Sequence, residues 1–251
     1  SSDLKGYVMR LALFADIHAN LEAMEAFMED SASRHIHRYI CLGDIVGYGA
    51  NPNECIDLLQ TLPRMNCILG NHDAAAIWRY SPYGMTKDAK EVILWTIDQL
   101  TPDNVNFLKR LHPILNQVNM IFAHANPYNP EAYRYVTNRK YAVRSFNAVK
   151  EKLTFIGHSH RPVVISRKNF FQITFTAPQG TKTYSISKEK KQIINCGSIG
   201  QPRDGDPRAC YCILDTTEDH VEFHRLVYDY QTTAEKIKAA GLPDILAKRL
   251  M

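Results

Sequence analysis

The stretch Cys41-Leu42-Gly43-Asp44-Ile45-Val46-Gly47 joins an apolar run to a turn that carries one carboxylate. Tyr39, Ile40 and Leu42 read as a short buried strand, which Gly43 and Asp44 break. A carboxylate at the carboxyl end of a parallel strand sits where open α/β sheets bind ligands. A single Gly-Asp is also an ordinary turn signal. Here the pattern recurs. Apolar runs end in Asp16-Ile17-His18, Gly43-Asp44, Gly70-Asn71-His72-Asp73, His124 and Gly157-His158-Ser159-His160. Strands distant in sequence can bring such ends to one crevice of one sheet.

The segments around Asp44 set the fold class. Residues 11–15 form a continuous apolar run, the mark of a strand buried on both faces. A helix is expected over 21–28, with Leu21, Met24, Phe27 and Met28 at helical spacing and Asn20 as N-cap. Further strands are expected at 39–42 and 65–69, with a helix over 52–62 that has Pro52 in its first turn. This β-α-β-α-β order implies parallel strands with right-handed crossovers. Residues 74–111 have helical composition, interrupted at Ser81-Pro82-Tyr83-Gly84. Residues 114–118 and 120–123 read as paired strands, 126–150 as a loop entering a helix over 141–151, and 155–156 as a short strand. Beyond residue 163, strand-like runs at 163–165, 170–176, 181–186, 192–196, 209–214 and 221–227 alternate with turn residues, which predicts mostly antiparallel pairing. Terminal helices are expected at 232–240 and 245–250, divided by Gly241 and Pro243.

At 251 residues the chain is long enough to bury a large core without staples. A net charge of +4 is weak for this length, so it allows anionic substrates without arguing for nucleic acid. No apolar run approaches the roughly 18 residues that span a bilayer. The six cysteines sit mostly in apolar runs with no Cys-x-x-Cys pair, which points to reduced thiols and a cytoplasmic setting. Residues 1–8 are polar and precede Met9-Arg10, which looks like a native start; they are taken as an extension, leaving 9–251 as one domain.

The strand ends offer carboxylate, imidazole and carboxamide but no thiolate. That set suits Mn²⁺, Fe²⁺, Zn²⁺ or Ni²⁺, and Mg²⁺ less well. Two aspartates, one asparagine and four histidines are too many for one ion. With one carboxylate shared, two ions would each have four protein ligands and open positions for solvent and substrate, as catalytic sites do. Two metals about 3.5 Å apart clamp both oxygens of an in-line displacement at phosphorus, and a hydroxide bridging them would be the nucleophile. His72 is left over. Asp73 follows it, and a histidine oriented by a carboxylate can protonate a leaving alkoxide or hold a phosphoryl oxygen.

These motifs, Asp16-x-His18, Gly43-Asp44, Gly70-Asn71-His72-Asp73, His124 and Gly157-His158-Ser159-His160, resemble the calcineurin-like metallophosphoesterases over most of the chain. Residues 43–52 and 197–207 look more like the prokaryotic phosphodiesterase-like branch of that family. The resemblance implies an α/β fold, a four-layer α-β-β-α sandwich of two mixed sheets flanked by helices. It implies that Asp16, His18 and His160 hold one metal, that Asn71, His124 and His158 hold the other, and that Asp44 bridges them. His72 would be the acid or phosphate-binding histidine, with Asp73 as its partner. The implied activity is metal-dependent hydrolysis of a phosphodiester or small nucleotide, with manganese the first choice of metal. The alternatives are a phosphomonoesterase, a dinucleoside-polyphosphate hydrolase, or a scaffold that has lost catalysis. Ala19 and Ala125 depart from the pattern, which has glycine at both places; an added methyl at a tight turn could shift the backbone. Gly47-Tyr48 and Asp73 also differ from the protein-phosphatase branch.

Substrate choice is expected from two segments, residues 77–83 and 127–144. The second carries Tyr128, Tyr133, Arg134, Tyr135, Arg139 and Arg144. Aromatic and arginine side chains there could stack a base and pair with phosphate. Arg203 is a further phosphate-binding candidate.

Overall fold

The computed structural model describes residues 9–251 apart from positions 118, 170, 171 and 188. The expected extension over 1–8 lies outside the described residues. So do Val118, the last residue of one expected strand, and Phe170 and Phe171, the first residues of another.

Strands β1 (Arg10–Phe14), β2 (Arg38–Cys41) and β3 (Met65–Cys67) are parallel neighbours, as the β-α-β-α-β order requires. They are joined by helices α1 (Leu21–Ala32) and α2 (Pro52–Gln60). Asn20 caps α1, its side chain accepting a hydrogen bond from the Ala23 amide. Helix α3 (Asn71–Ala76) begins directly after the third motif's glycine. The helical stretch that follows divides into α4 (Lys87–Gln99) and α5 (Pro102–Lys109), a break that composition alone did not reveal. Thr101 causes it by capping α5 with its hydroxyl, and Pro102 has no amide hydrogen to continue α4.

The second half contributes β4 (Ile114–Gln117), β5 (Met120–Ala123), α6 (Arg139–Ala148), β6 (Leu153–Ile156), β7 (Val163–Arg167), β8 (Ile173–Thr176), β9 (Lys182–Ser185), β10 (Lys191–Asn195), β11 (Ala209–Asp215) and β12 (His220–Leu226). Helices α7 (Tyr230–Ala239) and α8 (Asp244–Lys248) close the chain. Two six-stranded sheets result, in the orders β3-β2-β1-β11-β12-β9 and β4-β5-β6-β10-β7-β8. Both are mixed: β11 runs antiparallel to β1, and β10 runs parallel to β6 but antiparallel to β7.

Alternation along each strand separates the layers. Leu11, Leu13 and Ala15 point into a core between the sheets and meet Phe122, Phe155 and Ile194 of the second sheet. Ala12 and Phe14 point the other way, onto Met24 and Phe27 of α1. On the far face of the second sheet, Ile156, Ile165 and Ile193 pack under Ala142 and Phe146 of α6. The result is an α-β-β-α sandwich whose carboxyl strand ends β1, β2, β3, β5 and β6 open on one edge. Among the described residues no helix is long and apolar enough to cross a membrane. All six cysteines are free thiols.

Candidate metal centre

The loops after those five strands bring the expected ligands together and bury them: Asp16, His18, Asp44, Asn71, His124, His158 and His160 are all buried. Asp16, His18, Asp44, His158 and His160 adopt left-handed backbone, with φ of 55°, 52°, 55°, 67° and 56°. Such conformations cost side-chain-bearing residues about 1–2 kcal/mol each and cluster where function over-determines the backbone. Ala19 shares this conformation at φ 51°, and its amide still donates to the Ile45 carbonyl at 2.8 Å. Its methyl is therefore strained but displaces no ligand. Ala125 has no such φ and is simply buried. Gly70 must be glycine, since a Cβ would lie 2.1 Å from Asp44 Oδ1.

Three imidazoles are oriented by backbone carbonyls. The Nδ1 of His18 meets Val46 O at 3.2 Å, that of His124 meets Leu42 O at 2.7 Å, and that of His160 meets Gln201 O at 2.6 Å. A carbonyl accepts only, so each Nδ1 carries a hydrogen, and in the neutral ring each Nε2 presents a lone pair to the centre. His18 Nε2 and His160 Nε2 then face one another at 3.1 Å. His124 Nε2 likewise lies 3.1 Å from His158 Nδ1. His18 and His160 are both kept neutral by burial, and two lone pairs at that distance repel unless a cation lies beside them.

The carboxylates complete the picture. Asp44 Oδ1 accepts from the His72 amide at 2.8 Å, while Oδ2 lies 3.2 Å from His124 Nε2 and 3.8 Å from His18 Nε2. It thus stands between the two imidazole pairs. Asp16 Oδ2 accepts from the His158 amide at 2.9 Å, and Oδ1 is 3.6 Å from His160 Nε2. The Oδ1 of Asn71 is buried without a hydrogen-bond partner. Asp16, His18 and His160 form one group with metal-ligand spacing and Asp44, His124 and His158 another; His18, Asp44 and His72 form a third that overlaps both. A donor set of imidazole nitrogens, carboxylate oxygens and an orphaned amide oxygen fits divalent transition metals.

Charge is penalised throughout this pocket. Burial pushes the Asp16 carboxyl up, and holds His18 and His160 well below the usual imidazole range. Burial likewise lowers His158 to about 3 and His72 to about 4. Against burial, the Asp44 carboxylate raises His124 to about 10. Asp44 itself stays well below the carboxylate range despite burial, because His124 and His72 lie beside it. Bound divalent cations would neutralise the two aspartates and engage the imidazole lone pairs together.

Asp73 does not do what its position beside His72 suggested. Its Oδ2 accepts from the amides of Asp44 at 2.8 Å and Gly70 at 3.1 Å; its Oδ1 accepts from those of Ile45 at 2.8 Å and Val46 at 3.1 Å. Both oxygens are used by the backbone, and the Nδ1 of His72 is left buried and unpartnered. Asp73 therefore positions the Asp44 loop. The cause is α3: it turns residue 73 back over its own N-terminus, toward the second motif.

Residues around the rim were only partly legible. Tyr48 packs against both His18 and His72, with ring centroids 4.5 Å from each. The Tyr135 ring stacks on His158 at 4.2 Å and 14°. The Arg203 guanidinium lies 5.5 Å above the Tyr48 ring and donates to Gln201 Oε1 at 2.8 Å. Its charge also acts on the phenols of Tyr48 and Tyr135, opposing the burial that raises both. Neighbouring Asp204 and Asp206 pair with Arg225 and Arg208, and among the described residues no carboxylate pairs with Arg203. The two expected substrate segments are joined by an Arg79–Glu131 ion pair at 2.8 Å and by the Tyr80 and Tyr133 rings at 5.4 Å. Arg139 and Arg144 lie on α6, exposed on the outer layer.

Residues 9–219 match the calcineurin-like phosphoesterase superfamily domain. The chain belongs to that superfamily. A metallophosphoesterase of Sphaerobacter thermophilus has a solved structure that is 35% identical, with a TM-score of 0.87, over 97% of this chain and 98% of that one. An uncharacterised protein of Methanocaldococcus jannaschii is 40% identical over 96% of each chain. A hypothetical protein of Pyrococcus horikoshii, 20% identical with a TM-score of 0.79 over 96% of this chain and 97% of that one, shares the fold. Membership of this superfamily makes the chain a phosphoesterase hydrolase, and its aspartate and histidine groups can hold the divalent metals typical of the family.

Proposed function

We propose that this calcineurin-like phosphoesterase is a dinuclear enzyme that hydrolyses a phosphodiester or small nucleotide. The observation that carries the reading is Asp44 Oδ2, poised between His18 of one group and His124 of the other, while each group holds two imidazole nitrogens 3.1 Å apart. Asp16, His18 and His160 would hold the first ion and Asn71, His124 and His158 the second, with Asp44 shared. Two divalent cations in these seats would polarise the phosphoester and activate solvent as nucleophile. Manganese is the first choice, with iron, zinc and nickel as alternatives.

The chain's own groups do the rest. Hydrolysis adds solvent oxygen to phosphorus and breaks the bond to the leaving oxygen; the solvent loses a proton and the leaving oxygen gains one. His72 is neutral and buried with a free Nδ1, which suits a relay of that proton or a contact to a phosphoryl oxygen. Asp73 acts at one remove by fixing the amides of residues 44–46. Arg203, unpaired by any described carboxylate, is the candidate for a phosphoryl oxygen that the metals do not hold.

The test is metal analysis of the purified protein, followed by turnover of an aryl phosphodiester and its monoester with added Mn²⁺. About two ions per chain and faster diester turnover are expected. One ion per chain, with full activity, would overturn the dinuclear reading. A strong monoester preference would overturn the choice of diester.

A further inference from the structure

Tyr135 combines features that a packing residue does not need. It lies in the irregular segment between the 3-10 turn Pro130–Ala132 and α6, yet that segment is anchored. Tyr133 and Val136 on either side are buried at 8% and 5%, and Asn126 Nδ2 donates to the Arg134 carbonyl at 3.1 Å. The Arg79–Glu131 pair and the Tyr80–Tyr133 contact tie it to the chain after α3. Between those buried neighbours Tyr135 is 46% exposed. One face of its ring is covered by His158, nearly parallel at 14°. The Arg203 guanidinium lies near enough for its charge to act on the Tyr135 phenol, against the upward push of burial.

An aromatic ring held flat from below and open to solvent is preorganised for stacking. It loses little side-chain freedom when a second ring settles on it. The Arg203 guanidinium, over the Tyr48 ring and close enough for its charge to act on Tyr135, adds a site for a phosphate oxygen nearby. A phosphate next to a planar ring is the arrangement of a nucleotide.

Resting on the dinuclear phosphoesterase reading above, we infer that Tyr135 is the stacking platform for a nucleobase, and that it selects phosphoesters of nucleosides over those of bare sugars or alcohols. Aliphatic esters would reach the metals but leave the ring face wet. Stacking of a base on an aromatic side chain is worth about 1–3 kcal/mol, which corresponds to a preference of roughly fivefold to a hundredfold.

The experiment compares two diesters with the same reacting group: the methyl ester of adenosine 5′-phosphate and the methyl ester of ribose 5-phosphate. Wild type, Tyr135→Leu and Tyr135→Phe, each loaded with metal, are assayed, and the quantity read is the ratio of kcat/KM for the two substrates. Any damage to the metals affects both substrates and cancels in the ratio. Wild type is expected to favour the adenosine ester at least fivefold, largely through KM. Tyr135→Leu should bring the ratio close to one, and Tyr135→Phe, which keeps the ring, should retain it. A wild-type ratio near one overturns the inference however the variants behave, as does an unchanged ratio in Tyr135→Leu. Hydrolysis of other phosphoesters in those cases would leave the proposed function standing. Failure to cleave any phosphoester would sink both.

Discussion

The two groups of side chains proposed to hold metal ions are built differently. In the group of Asp16, His18 and His160 every residue has left-handed backbone and none is more than 2% exposed. In the other, His124 continues from β5 without such a φ, and both His158 and Asn71 are 8% exposed. The first seat is closed by the chain itself, since the amides of Ile199 and Gly200 donate to the carbonyls of Ala15 and Asp16 at 3.0 and 2.9 Å. The second is covered by the ring of Tyr135, which is itself half in solvent. With both seats filled as proposed, the sealed seat and the open one beside it would divide the labour: one cation held for good, one that meets the substrate.

The largest effect is expected where the two groups share a residue. Asp44→Asn should empty both seats and bring turnover to background, read by metal analysis and phosphoester hydrolysis; a variant that kept both ions would end the idea of a shared ligand. Next come the unshared histidines. His158→Ala and His160→Ala should each bind one ion instead of two, and in the wild type a chelator should strip one ion well before the other. Equal rates of loss for both ions would erase the distinction between sealed and open seats.

Asp73→Asn acts on both groups from behind. The amide offers one acceptor oxygen where the carboxylate offers two, and it turns its own N–H groups toward backbone donors. Leaving buried amides unsatisfied costs about 1–3 kcal/mol, read as a lower Tm. Loss of a group that supports a ligand lowers metal affinity about tenfold to a hundredfold. An unchanged Tm would show that Asp73 is not the fixed point of the Asp44 loop. The smallest effect should come from Gly47→Ala. The new Cβ would lie 2.4 Å from His72 Nδ1, at a φ of 88°. Displacing that ring costs about 0.5–1.5 kcal/mol, or up to about tenfold in turnover, with metal content unaltered. Loss of metal in this variant would place His72 among the ligands.

The sequence carried the strand ends well, because apolar runs and the polar residues that stop them are local signals. Asp16, Asp44, Asn71, His124 and His158 all lie just beyond strands β1, β2, β3, β5 and β6, and Asn20 caps α1 as its position suggested. Non-local features were not legible. Nothing near Lys182–Ser185 says that β9 leaves its sequence neighbours β8 and β10 and pairs with β12 in the other sheet. Asp73 was paired with its neighbour His72, whereas its true partners are amides up to 29 positions away. Tyr48 and Gln201 had no signal beyond their place in the second-motif loop and the 197–207 stretch. Their roles depend on turns whose left-handed residues, such as Tyr48 at φ 64°, are not announced by residue type.

The sealed seat also says something about how the molecule is made. His18 and His160 are 142 positions apart, and the hydroxyl of Ser198 reaches back 182 positions to the Asp16 carbonyl. A growing chain that has already released Asp16, His18, Asp44 and Asn71 still has neither seat. Contacts of such long range form late in folding, after the loop between them has closed. A cation bound there would clip the two sheets together across that loop and, by mass action, add stability only to the finished fold. Uptake of the first ion should therefore follow completion of the chain, and its loss should lower the barrier to unfolding of both sheets at once.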